Sequence, residues 1–175
     1  MEKTVKSIAL NYGLYLGGVL ALITVAIYAI DLNLMANMWL GIGMILFIIG
    51  MGIFATAKAK STFDGFLSFK DAFTAYFITT IVGVTISSLF SVVLYNFIDP
   101  DAAEQIKKIT IDSTIAMMEG WNMPPEAIAK AVEEVEKTNP YGILTTLKNL
   151  VFGFIIQAVI GLIVAAVMKK SNPDA

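Results

Sequence analysis

The chain of 175 residues predicts an all-α polytopic membrane protein with four transmembrane helices, and three observations carry that expectation. Four apolar stretches, residues 8–30, 35–55, 72–98 and 143–168, have no charged residue in their cores. Each is long enough to cross a hydrocarbon core, which takes roughly 20 residues of helix. Hydrophobic residues make up 57% of the chain and mean hydropathy is +0.76, above the apolar share of a soluble domain. The lysines, finally, gather between alternate stretches. Since the four stretches take up more than half of the chain, one membrane domain over residues 1–175 is expected.

Residues 1–6 are charged and precede the first stretch. The apolar run that follows is too long for the core of a signal peptide and lacks a small-residue cleavage site, so it reads as an uncleaved helix. Gly13 and Gly17 stand four apart in it, the spacing that lets two helix backbones approach in lipid, where packing rather than hydrophobicity drives association. The second stretch holds the pairs Gly41-x-Gly43 and Gly50-x-Gly52, which read as packing positions. Before the third stretch, Phe63, Phe66, Phe69, Phe73 and Phe77 recur at helical spacing. This predicts an amphipathic turn in the cytoplasmic interface, with Phe69, Lys70, Asp71 and Phe73 as its candidate contact residues. The sharper alternative is docking of a partner or an anionic lipid head, with Lys58, Lys60 and Lys70 supplying charge. The third stretch puts Gly83, Ser87 and Ser91 on one face and adds the hydroxyls of Thr79, Thr80, Thr85 and Ser88. In the fourth, Gly153, Gln157, Gly161 and Ala165 recur every four residues.

Residues 99–140 form the one substantial part outside the four stretches, and they predict an amphipathic helical hairpin. Asp99-Pro100 supplies an N-cap and a first-turn proline, and Gly120 a stop. Pro124-Pro125-Glu126 starts the second helix, which Asn139-Pro140 closes. Ile128, Ala131, Val132 and Val135 make its apolar stripe. Glu104–Lys108, Glu126–Lys130 and Glu133–Lys137 are i,i+4 pairs in the favourable order. The hairpin's apolar faces are expected to pack on each other, to lie on the membrane, or to hold a protein.

Orientation follows from the lysines. Seven of the twelve (Lys3, Lys6, Lys58, Lys60, Lys70, Lys169, Lys170) flank the first stretch, the second loop and the last stretch. Cytoplasmic loops carry the excess of basic residues. Both termini are therefore expected in the cytoplasm and residues 99–140 outside it. That outer segment, taken with Lys148, holds five lysines against nine acids.

The chemistry available is narrow. There is no His, no Cys and no Arg. That removes the usual catalytic base and metal ligand, any thiolate or disulfide, and the basic clusters that nucleic acid requires. No phosphate-cradling glycine motif occurs. The expectation is a protein without enzymatic activity, metal or cofactor. Glu133, Glu134 and Glu136 read as a solvated helix face, their spacing not being that of a cation loop. Gln157, mid-span on the small-residue face, is the most singular residue. Its amide is expected to clamp helices by bonding Thr79, Thr80, Thr85, Ser87, Ser88 or Ser91, or Asn11. The alternative is a polar path through the same groups.

Ser68-Phe69-Lys70-Asp71-Ala72-Phe73 entering the third helix, Tyr95-Asn96-Phe97-Ile98-Asp99-Pro100 leaving it, Met118-Glu119 and Pro125-Glu126 in the acidic pair, and the terminal Lys169-Lys170 together resemble the bacterial membrane proteins of domain-of-unknown-function family 4199. The resemblance covers nearly the whole chain. It implies a four-helix protein of the bacterial cytoplasmic membrane and implies no active site. Three functional readings follow, in order. The first is an accessory or scaffold subunit with a membrane-protein partner or a second copy of itself. The second is a small-solute or ion transporter or channel component. The third is a helper in handling lipid-linked substrates through surface carboxylates.

Overall fold

The computed structural model describes residues 4–170, so Lys3 of the orientation argument lies outside the described residues. Six α-helices follow in order: α1 (Val5–Ile30), α2 (Met38–Thr62), α3 (Phe69–Val93), α4 (Pro100–Gly120), α5 (Pro125–Lys137) and α6 (Ile143–Met168). A 3₁₀ turn (Leu32–Ala36) joins α1 to α2, and a π-helical turn (Leu94–Ile98) extends α3. Among the described residues there is no strand, only an isolated antiparallel bridge between Leu67 and Lys170. Helices α1, α2, α3 with its π turn, and α6 are each long and apolar enough to span a membrane.

Local chemistry sets the boundaries. Thr4 and Ser7 close a capping box on α1, which starts three residues before the apolar stretch because the cap, not hydropathy, nucleates the first turn. α2 is displaced from the expected 35–55. Asn37 accepts from the Leu40 amide and caps its start, and the helix runs on to Thr62 because Ala and Lys are strong helix formers. Ser68 accepts from the Asp71 amide and starts α3 at Phe69. Asp99 accepts from the Ala102 amide and starts α4, with Pro100 at its first position. α5 ends at Lys137, two residues before the expected Asn139-Pro140. Of the three expected i,i+4 pairs, the described residues form only Lys137–Glu133 as an ion pair.

The phenylalanine repeat is not one helical stripe. Phe63 caps the end of α2. Asp64 (φ 52°) and Gly65 (φ 80°) then turn the chain with left-handed backbone, and only Phe69, Phe73 and Phe77 belong to α3. The turn is tied to the end of α6. Leu67 and Lys170 exchange backbone hydrogen bonds, Lys60 Nζ donates to the Met168 carbonyl, and Lys170 Nζ lies 5.2 Å from the Phe66 ring centroid.

Helix α3 is the axis of the bundle, packing on α1, α2 and α6. Glycines set its closest approaches. A Cβ built on Gly83 would lie 2.5 Å from Leu16 Cγ, on Gly17 2.7 Å from Ile86 Cβ, and on Gly13 2.8 Å from Val82 Cβ. On the α2 side, Gly52 meets Tyr76 at 2.6 Å. Thr79 Oγ1 donates across the α1 contact to the Ala9 carbonyl at 3.1 Å and to its own Ala75 carbonyl at 2.8 Å. Not every glycine serves packing within the chain. Gly41, Gly43, Gly50 and Gly153 would meet nothing within 4 Å, which corrects the expectation for these four. Regular spacing identifies a helix face, and here no helix covers it.

Two buried clusters hold the ends. At the lysine-rich end, Ile8, Ala59, Leu67, Ala72, Ala75 and Ala165 pack together. At the other, Leu94 and Tyr95 of the π turn pack with Ala102, Ala103 and Ile106 of α4. Helices α4 and α5 contact each other, and α5 has no fully buried residue.

Candidate functional site

The contact between α3 and α6 is closed toward the lysine-rich end and open toward the other. Gly161 brings α6 against Tyr76 and Phe73, with its built Cβ at 2.9 Å and 3.2 Å from their rings. One helical turn further, Tyr76 Oη donates to Gln157 Oε1 at 2.7 Å. The partner of Gln157 is thus a fully buried tyrosine, and none of the short hydroxyls or Asn11 expected from the sequence. Thr79 and Thr80 are fully buried and bond carbonyls. Thr85 is half-buried and makes no hydrogen bond to the amide among the described residues.

Beyond Gln157 a cleft of about 270 Å³ opens between the two helices. Ser87, Ser88 and Ser91 line it from α3, and Thr146 and Asn149 from α6, with Tyr141 at its mouth. Asn149 is eight residues before Gln157, about 12 Å along the helix. A second cleft, about 340 Å³, shares Pro140 and Asn149 and continues beneath α4 and α5 past Thr138, Thr110 and Lys107. Ser91 Oγ donates to the Ser87 carbonyl, the usual way a hydroxyl is satisfied in an apolar helix. The Asn149 side chain is exposed and makes no hydrogen bond among the described residues.

Above the cleft lies a polar joint that the sequence argument did not single out as a site. The π turn adds one residue per turn and re-aims the side chains that follow. Tyr95 is turned inward (1% exposed), its ring 4.2 Å from that of Tyr141 and 6.4 Å from that of Tyr28. Asn96 Nδ2 donates to the Val92 carbonyl at 2.9 Å and to the Tyr141 carbonyl at 2.7 Å. Tyr28 Oη donates to Asp99 Oδ2 at 2.7 Å. That bond, and then the Ala102 amide, hold the Asp99 carboxyl below the usual aspartate range. Burial raises the Tyr141 phenol well above its ordinary value. Among the described residues, the Tyr95 hydroxyl alone is buried without a partner. The run Tyr95-Asn96 to Asp99 was the visible signal, because two polar side chains close an apolar span and a carboxylate follows it directly.

The remaining candidates sit at the lysine-rich end. Phe69 is 40% exposed. Lys70 and Asp71 line a recess facing the start of α1, and Phe73 points inward, stacked on Phe77 at 5.1 Å.

Removing the α3–α6 bond is expected to weaken the bundle by about 1 kcal/mol, the scale of an interhelical hydrogen bond in a membrane. Gln157→Leu and Tyr76→Phe should each lower thermal stability in detergent. The double variant should fall no further than the worse single one. Fully additive losses would mean that the two groups are not coupled.

Four apolar helices, three of them packed around α3, with a buried core at each end, define a multi-pass helical membrane protein. The sequence model of the family described as "protein of unknown function (DUF4199)" matches residues 11–170. The chain belongs to that family. No curated protein and no solved structure matches it.

Proposed function

We propose that this protein is a non-catalytic membrane subunit that receives a transmembrane helix of a partner protein in the cleft between α3 and α6. The cleft itself carries the reading. A lining of Ser87, Ser88, Ser91, Thr146 and Asn149 combines small side chains, which let a helix approach closely, with hydroxyl and amide groups that hydrogen-bond across helices. Asn149 makes no such bond among the described residues, and its exposed amide is free to pair with a polar group of a partner helix. A solute path fits less well, since Phe73 and Tyr76 fill the inner half of the same interface against Gly161. Of the surface carboxylates that a lipid-linked reading could use (Asp99 and Asp101, or Asp64 and Asp71), Asp99 is engaged by Tyr28 and the α4 amide and Asp71 by Ser68. The absence of His and Cys from the sequence supports a role without catalysis.

In this reading the protein lies in a bacterial cytoplasmic membrane with its lysine-rich end inside. The α4–α5 pair forms an extracytoplasmic hairpin, and the polar joint fixes that hairpin over the cleft. The chain has no Cys, so single introduced cysteines report orientation cleanly. Ser61→Cys is expected to react only after the membrane is permeabilised, and Glu119→Cys in intact cells after outer-membrane permeabilisation alone. The reverse pattern would invert the topology.

Ser88→Phe fills the cleft without touching the α1–α3 or α2–α3 contacts. It is expected to release the co-purifying partner while leaving the isolated protein's melting temperature within a few degrees. Undiminished association would exclude the cleft as the docking site.

A further inference from the structure

The lysine-rich end holds a second recess, about 730 Å³ in volume, between the start of α1 and the turn leading into α3. Lys6 borders it on one side and Lys70 and Asp71 on the other, with Thr4, Val5, Thr74 and Phe63 completing the lining. Of the lysines at this end, Lys60 is spent on the Met168 carbonyl and Lys170 on the Phe66 ring. Neither Lys6 nor Lys70 takes part in an ion pair among the described residues. Asp71 accepts from Ser68 Oγ at 2.6 Å and keeps its charge, so two lysines against one carboxylate leave the recess net positive.

We infer that this recess is a binding site for the phosphate headgroup of an anionic phospholipid. The position is right for that ligand. The recess sits where two spanning helices leave the apolar region, and Phe63, 36% exposed, offers an apolar wall beside the two cations. Two ammonium groups facing one polar hollow match a phosphate and its glycerol. This is a different selection from the Lys58, Lys60 and Lys70 expected from the sequence, since Lys6 takes the place of Lys58 and Lys60. The site is independent of the cleft at the other end of α3.

The test uses the full chain in nanodiscs of phosphatidylcholine carrying increasing phosphatidylglycerol, read by thermal stability and by native mass spectrometry of retained lipid. A lysine at a lipid surface contributes about a fivefold change in affinity. Lys6→Gln and Lys70→Gln are each expected to weaken phosphatidylglycerol retention about fivefold and together by more than tenfold. Lys58→Gln, outside the recess, should leave it unchanged. Both lysine side chains are exposed, so the variants should fold, as melting in pure phosphatidylcholine will verify. Retention unchanged in the double variant would overturn the site, and so would an equal loss in Lys58→Gln. Stabilisation by inorganic phosphate alone, without preference for the lipid, would overturn the assignment of the ligand.

Discussion

Tyr95→Ala is expected to cost about 3–5 kcal/mol, the range for emptying a buried aromatic site. Tyr95→Phe is expected to cost nothing and to stabilise the protein slightly. The two results have one cause. The ring is only 1% exposed, and it joins the π turn to α4 and to Tyr141, so removing it opens a cavity where the bundle meets the α4–α5 pair. The hydroxyl is buried without a partner among the described residues, and deleting an unpaired polar group relieves a desolvation penalty of about 1–3 kcal/mol less whatever packing is lost. Chemical denaturation in detergent monitored by tryptophan fluorescence will read both, since Trp121 follows α4 directly. A loss above about 1 kcal/mol in Tyr95→Phe would mean that the hydroxyl is hydrogen-bonded in the native protein.

Gly83→Leu should be nearly as damaging, with a loss of about 3 kcal/mol, at the upper end of what overpacking costs. The first added carbon would stand 2.5 Å from Leu16 Cγ and 2.9 Å from Leu16 Cβ. Rotating the Leu16 side chain cannot clear the second contact, so α1 must move away from α3. That displacement would also pull Gly13 and Gly17 off Val82 and Ile86 and stretch the Thr79–Ala9 hydrogen bond. Gly153→Leu is the matched control. It makes the same chemical change mid-span in α6 with nothing within 4 Å, and replacing glycine favours the helix by up to about 1 kcal/mol. It should be neutral or stabilising, and equal losses in the two variants would refute the packing explanation.

The contrast between these glycines marks where sequence reasoning runs out. The four spans were legible because hydropathy over a whole helix outweighs local detail. The last helix was placed at its observed limits, while α2 was misplaced where alanines and lysines continue a helix that hydropathy no longer signals. Gly13, Gly17, Gly153 and Gly161 share one spacing rule, yet only three of them meet a neighbour. Periodicity assigns a residue to a face and says nothing of what stands opposite. Gln157 stood out as a polar residue in an apolar span, but its partner was sought among short hydroxyls. A tyrosine reaches across an interface that serine cannot, and nothing in the span's hydropathy set Tyr76 apart. The π turn was invisible because a single inserted residue leaves no periodic trace. Its product, the inward set of Tyr95 and Asn96 over Tyr141, could be seen only once the turn was in place.

The central claim, that the α3–α6 cleft seats a partner's membrane helix, is most directly tested by photo-crosslinking from within it. A photoreactive phenylalanine analogue at Asn149 would be activated in native membranes, with Val159, 55% exposed on the same helix, as the comparison position. The account predicts a single protein adduct from Asn149, mapping to one apolar segment of a different membrane protein, and lipid adducts alone from Val159. Lipid adducts alone from both positions, or an Asn149 adduct only to a second copy of this chain, would contradict it.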